Sequence, residues 1–131
     1  MPLSAPYRTK FLNQITRGTS FPTVATAWLA LHTADPGDSG TGNMVNSTWV
    51  AVEFNAPAST TGVNATTVDC ASVPAATITH FSLWDTSATG TATCMFTGRI
   101  WGSDGSATSK VTNAGDTLRF TSGNLRIRLT S

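Results

Sequence analysis

The sequence predicts an all-β fold: a single-domain antiparallel β-sandwich, jelly-roll-like, over residues 1–131, with one short N-terminal helix or arm within 1–20. Three observations carry this. About seven short runs rich in Val, Ile, Thr, Phe and Trp follow one another, separated by Gly, Pro, Asn and Asp clusters, which is the spacing of a sandwich or barrel. Polarity comes from Thr, Ser and Asn: 40% of residues are apolar and only 11% charged, where an ordinary domain has about a quarter charged. Only one segment shows helical periodicity. A chain of 131 residues is long enough to bury a real core, and no repeat or linker divides it.

The helical segment is "SAPYRTKFLNQITRG", with Tyr7, Phe11, Leu12 and Ile15 at helical spacing. Ser4 is placed to cap its start, Pro6 sits in the first turn, and Gly18 is placed to end it. "TVATAWLALHT" (23–33) follows as a strand that is apolar on both faces. Ala25, Ala27, Leu29 and Leu31 point one way, and Val24, Trp28 and Ala30 the other, so the strand is central or covered on both sides. "LHTADPGDSGTGN" (31–43) is a long corner. In "TWVAVEF" (48–54), Val50, Val52 and Phe54 share one face and Trp49 and Glu53 the other.

A loop from 56 leads to a weak strand near 66–71. "ATITHFSLWD" (76–85) and "TATCMFTGRIW" (91–101) are strands around the turn "TSATG", and "GSDGSATS" (102–109) is a polar loop. At the C-terminus, a turn at Ser122-Gly123 would pair Phe120 with Leu125 and Leu118 with Ile127, putting all four apolar side chains on one face. The same register sets Arg119 across from Arg126, with Arg128 one step on. Like charges facing each other destabilise a strand pair. The stripe therefore calls for an acidic residue, from a neighbouring strand or from another subunit.

Charge and composition exclude several function classes. A net charge of +1 exerts no global pull on nucleic acid. No apolar run approaches the roughly 18 residues of a membrane span. "MPLSAPYRTK" lacks the basic and apolar regions of a signal peptide, so synthesis and folding in a cytoplasm is the expectation. Cys70 and Cys94 lie 24 residues apart without a CxxC and are expected to be buried free thiols, a disulfide remaining open if their strands are adjacent. Neither they nor His32 and His80 have the close spacing of a zinc site. Asn46 and Asn64 match the glycosylation pattern, as chance allows in a chain this rich in Asn and Thr.

The 31–43 corner lacks the pattern of a dedicated ion or phosphate loop, which leaves a loose surface calcium site as the alternative to a plain turn. After Gly42 come Asn43 and Met44 instead of the Lys and hydroxyl residue of a P-loop. Asp35 and Asp38 are three apart, and no closing Glu follows before Glu53, which rules out an EF-hand. Asp-Pro-Gly makes a turn. His80 and Asp85 fall on opposite faces of their strand, and no serine sits in a GxSxG elbow. No catalytic residue, cofactor site or metal site is expected.

"WLALHTADPGDSGTGNMV", "WVAVEFNAP", "THFSLWDTSATGT" and "VTNAGDTLRFTSGNLRIRL", in that order, resemble a family of small virion proteins of tailed bacteriophages. Its members show L-A-L-x-T-A-D-P, T-H-F-x-x-x-D and V-N-x-G-D-x-L-x-F blocks before a final strand. The resemblance runs from Thr23 onward. This chain departs in carrying an extra Thr112, and in Cys94 and Arg99. It implies a non-enzymatic virion component.

On that basis the leading expectation is a capsid decoration (cement) protein. It would bind the major capsid protein and other copies of itself, as a dimer or trimer, on the capsid surface rather than the tail, with no nucleic-acid or membrane partner. A tail fibre or tip component would instead present loops 35–46 and 102–109 to a host. A carbohydrate-binding sandwich would use exposed Trp residues. Candidate contact residues are Tyr7, Arg8 and Phe11, the tryptophans Trp49 and Trp84, and Arg119, Arg126 and Arg128, with Asp35 and Asp38 placed to meet another copy's arginines. For the tryptophans, contact with a partner and cover by a second layer of the same chain, such as the N-terminal helix, both remain open.

Overall fold

In a computed structural model, residues 3–21, 24, 26–45, 49–58, 61–87, 91–100 and 106–128 are described. Ala25, Asn46, Trp101, residues 102–105 and Leu129 lie outside them, as does the side chain of Arg128. Helix α1 (Ala5–Arg17) comes first. The strands are β1 (Ala27–His32), β2 (Val50–Val52), β3 (Thr61–Val63), β4 (Val68–Val73), β5 (Ala76–Ile78), β6 (His80–Trp84), β7 (Cys94–Arg99), β8 (Lys110–Thr112), β9 (Asp116–Phe120) and β10 (Arg126–Arg128). This is the all-β, sandwich-like architecture that the composition and strand spacing anticipate.

One antiparallel sheet has the order β2-β1-β6-β7, and three two-stranded ribbons, β10-β3, β4-β9 and β5-β8, complete the fold. β1 is central, as its two apolar faces require. Leu29 and Leu31 lie opposite Leu83 and Phe81, and these four, with Val52, face the main core. The ribbons supply Val68, Cys70, Val73, Ile78, Leu118 and Phe120 to the same core, and Leu125 joins them. The other face of the sheet carries Trp28, Ala30 and His32 opposite Trp84, Ser82 and His80. A bulge between Leu83 and Trp84 shifts the pairing with β7, so Cys94 joins Trp84 while Phe96 stays on the main-core side.

Two strand expectations are corrected. The run 76–85 is not one strand. The chain changes sheets at Thr79, whose N–H donates to the carbonyl of His32 (3.0 Å) and whose Oγ1 donates to that of Thr33 (2.9 Å). The C-terminal hairpin does not form either. β9 pairs with β4, and β10 pairs with β3.

The reason for the second correction is Asn64, which is fully buried. Its backbone N–H donates to the carbonyl of Leu125 (3.1 Å), and its Oδ1 accepts from the Leu125 N–H (2.9 Å). Its Nδ2 donates to the carbonyls of Thr66 (2.8 Å) and Thr121 (3.1 Å). Asn64 thus takes the backbone groups that a Phe120–Leu125 pair would have used, and the chain crosses to another ribbon. A side chain so enclosed is no glycan acceptor.

Candidate contact surface

Helix α1 is fastened at its N-terminal end. Ser4 adopts an extended backbone, and its hydroxyl accepts from the Tyr7 N–H (3.4 Å). The same hydroxyl donates to the carbonyl of Cys94, and the Ser4 N–H donates to that of Met95 (2.8 Å). Gly18 ends the helix at φ 67, the left-handed conformation of a C-cap. Tyr7 is 2% exposed. Its hydroxyl donates to Asp85 Oδ2 (3.4 Å), its ring meets Phe21 edge-on with centroids 5.5 Å apart, and Lys10 Nζ lies 4.8 Å from the ring centroid. Burial, then the Asp85 charge and hydrogen bond, push the phenol up to about 12. Tyr7 is therefore a core residue, correcting its placement among the free contact residues.

Beyond Tyr7 the helix leaves the body. Phe11 is 48% exposed, Leu12 55% and Ile15 62%. At 100° per residue, these three and Arg8 fall within an arc of about 100°. Phe11 keeps one edge-on contact with Phe21, at 6.4 Å. Among the described residues, the only other large exposed apolar side chain is Val111, on β8. Helical spacing in the sequence left open which way this stripe faces; Tyr7 turns inward, while Phe11, Leu12 and Ile15 stay exposed.

The corner after β1 folds back over the second face of the sheet. Asp35 Oδ1 accepts from the Gly37 N–H (2.9 Å), the Gly42 N–H donates to the carbonyl of Pro36 (2.9 Å), and Val45 N–H to that of Leu31 (2.9 Å). His32 is fully buried beneath it. Its Nδ1 lies 2.7 Å from the Gly42 carbonyl and its Nε2 2.7 Å from Ser82 Oγ, which also accepts from Trp84 Nε1 (2.7 Å). A carbonyl only accepts, so Nδ1 carries the proton. Ser82 then donates to Nε2, and every member of the chain is satisfied. Burial, the largest effect, lowers the His32 pKa, consistent with this neutral form.

Trp49 and Trp84 are 9% and 5% exposed and stack on each other, with centroids 4.7 Å apart and planes at 19°. They pack with Ala30, Cys94 and Met44. Gly40, at φ 77, passes so close that a Cβ there would overlap Cys94 Sγ and approach Trp84. The layer that covers the tryptophans is thus the 33–45 corner, not the N-terminal helix. Neither ring offers a free face to a sugar or a partner, which corrects their placement as exposed contacts.

The remaining candidates separate. Asp38 pairs with Arg8 of its own chain, Nη2 to Oδ2 at 3.2 Å, and its carbonyl accepts from the Ala5 N–H (3.1 Å), so the corner also holds α1. Asp35, Asp38, His80 and Arg99 line a shallow depression of about 250 Å³. Arg119 does not face Arg126. It makes a two-pronged pair with Asp69 across β4, at 2.6 and 3.0 Å, so the acidic residue the stripe called for comes from a neighbouring strand. That pair holds the Asp69 carboxyl below its usual value. Among the described residues Arg126 reaches only the carbonyl of Gly123 (3.2 Å), and the Arg128 backbone lies opposite Thr61.

Cys70 and Cys94 are buried and unpaired with each other, Cys70 in the main core and Cys94 in the tryptophan cluster. Among the described residues, no group of three or more His, Cys, Asp or Glu is placed to hold a metal.

A family model described as podophage GP4 fiber I protein gp80 matches residues 2–128. No curated protein matches the chain.

Proposed function

The chain belongs to the podophage GP4 fiber I protein gp80 family, a family of phage virion structural proteins, and from that premise we propose that it is a non-enzymatic unit of the tail fibre. The observation that carries this reading is the extent of the match, which takes in nearly every residue of the chain. The surface suits it: charged residues are 11% of the chain, and Arg8 and Arg119 are neutralised within it by Asp38 and Asp69. The accessible area of 7223 Å² is near the roughly 6,600 Å² expected of a compact monomer of this mass, so the chain is a bead, not a shaft. A fibre containing it would be built by repetition or by attachment of such beads.

Capsid decoration, with the major capsid protein as partner, shares the virion setting but has no counterpart in the family description. Locating the protein on purified particles, by immunogold labelling and quantitative mass spectrometry, separates the two. We expect a few copies confined to the tail. Copies spread over the whole shell would overturn the fibre reading in favour of decoration.

A further inference from the structure

We propose that the depression between the corner and the end of β7 is a binding site for a single carboxylated sugar residue, of the uronic-acid type. His80 lies opposite Arg99 and Ser82 opposite Thr97 across β6 and β7, so His80, Thr97 and Arg99 stand together on the second face of the sheet. Asp35 and Asp38 wall them in from the corner, around about 250 Å³. That is smaller than the pockets of drug-sized ligands and suits one monosaccharide.

The fold leaves bonding capacity unused on this floor and wall. Thr79 spends its hydroxyl proton on the carbonyl of Thr33, so towards His80 it only accepts, and His80 Nδ1 (2.8 Å away) carries the proton. His80 Nε2 is left a bare acceptor. Burial, the largest effect on this ring, lowers its pKa and keeps it neutral at pH 7. Asp35 commits Oδ1 to the Gly37 N–H (2.9 Å), and its other oxygen has no partner among the described residues. Arg99 makes no hydrogen bond or ion pair among them either. Thr97 is only 8% exposed, and no described residue bonds its hydroxyl. A polar group this enclosed costs free energy unless something bonds it, and Thr97 opens onto the depression.

The mixture of groups selects the ligand. Arg99 offers a planar fork of donors, which fits a carboxylate. Asp35 and His80 Nε2 only accept and call for hydroxyl donors, while Thr97 serves as either. A phosphate would meet the Asp35 carboxylate, and a metal cation would meet the Arg99 guanidinium. A ring with a carboxylate at one end and hydroxyls around the rest satisfies all four. Asp38, balanced by Arg8, remains a wall. The inference deepens the fibre reading, on which it rests for the source of the sugar, a polysaccharide outside the particle. One shallow contact binds weakly, and many copies in one particle reinforce it.

Titration of the chain with methyl β-D-glucuronide, followed by amide NMR shifts, should move residues 35–38, 80 and 97–99 together, with a dissociation constant of about 1 mM. The uncharged methyl β-D-glucoside should bind at least about tenfold more weakly. Arg99→Ala, at an exposed side chain with no partner to strand, should lose at least about tenfold in affinity with an unchanged unfolding midpoint. Arg99→Lys keeps the charge without the fork and should fall between. Asp35→Asn should also weaken binding, since the amide oxygen still caps Gly37 but no carboxylate is left for a hydroxyl. The proposal is overturned if glucuronide at about 20 mM moves none of these amides, or if Arg99→Ala binds it as the wild type does. It is equally overturned if acetate, inorganic phosphate or serine binds as tightly, which would make this a site for any anion or for an amino acid. If glucuronide binds here but the protein is found on the shell, the fibre reading fails and the site stands. If the protein is on the tail and glucuronide leaves these amides unmoved, the site fails alone.

Discussion

Two buried polar residues, Asn64 and His32, each tie together segments far apart in the chain. Asn64 joins three segments by bonds to Thr66, Thr121 and both backbone groups of Leu125. Asn64→Ala strands several buried partners, each costing about 1–3 kcal/mol. We expect a loss of at least about 3 kcal/mol in urea denaturation. His32 makes stability depend on pH. Burial lowers its pKa, and that of the neighbouring His80, in the folded chain. The unfolded chain therefore binds more protons at low pH, so the stability these groups contribute is full above about pH 6.5 and lost as pH falls below it.

At the alkaline end the signs reverse. Tyr7 is held at about 12 and the Cys70 and Cys94 thiols at about 11 and about 12, all by burial. Their contribution is present below the ordinary thiol and phenol values and disappears as pH rises through the folded ones. Thermal unfolding scans should give a plateau between about pH 7 and pH 8.5 and lower midpoints on both sides. The burial of the two thiols was expected from the sequence, but the His32 network was not legible in it. Ser82 and Gly42 are 50 and 10 residues from His32, and no periodicity links them.

Local rules, in contrast, placed single elements well. Ser4, Pro6 and Gly18 bounded α1, and the alternation of Leu29 and Leu31 against Trp28 and Ala30 gave both faces of β1. These follow from backbone capping and side-chain period, which act within a few residues. Which face another element covers is a long-range fact. The corner after β1 reads as a turn, yet it serves as the lid over Trp49 and Trp84. Gly40→Ala tests that lid. It combines a left-handed backbone, costing about 1 kcal/mol with a side chain, with an overlap on Cys94 that adds roughly 1–3 kcal/mol. The corner should lift, with a red-shifted tryptophan emission and a lower unfolding midpoint. An unchanged emission maximum would mean that the corner is not what excludes water from the pair.

For the molecule as a whole, composition was enough for a β-rich sandwich, but partner choice among strands was not. Leu118, Phe120, Leu125 and Ile127 do face the core or its margin, as their alternation required. They reach it from two ribbons rather than one hairpin, because Asn64 takes the backbone groups of Leu125; in that arrangement Arg119 meets the opposite charge of Asp69. The helical spacing of Phe11, Leu12 and Ile15 was legible, but not their exposure, because periodicity cannot tell an inward stripe from an outward one. Global integrity has a simple readout in the two thiols. Both should resist Ellman's reagent in the native chain at pH 8 and react together in denaturant. Early reaction of Cys94 alone would show the corner opening independently of the main core.

The four-stranded sheet ends at β7, and an open strand edge is a template for uncontrolled addition of further strands. Here Leu3 bridges to Phe96 and the Ser4 N–H is spent on Met95, so the segment ahead of α1 stoppers that edge before the helix departs. With that edge closed, a passing extended segment finds no free main-chain groups at the partners of Leu3 and Ser4, and the sheet stops at β7.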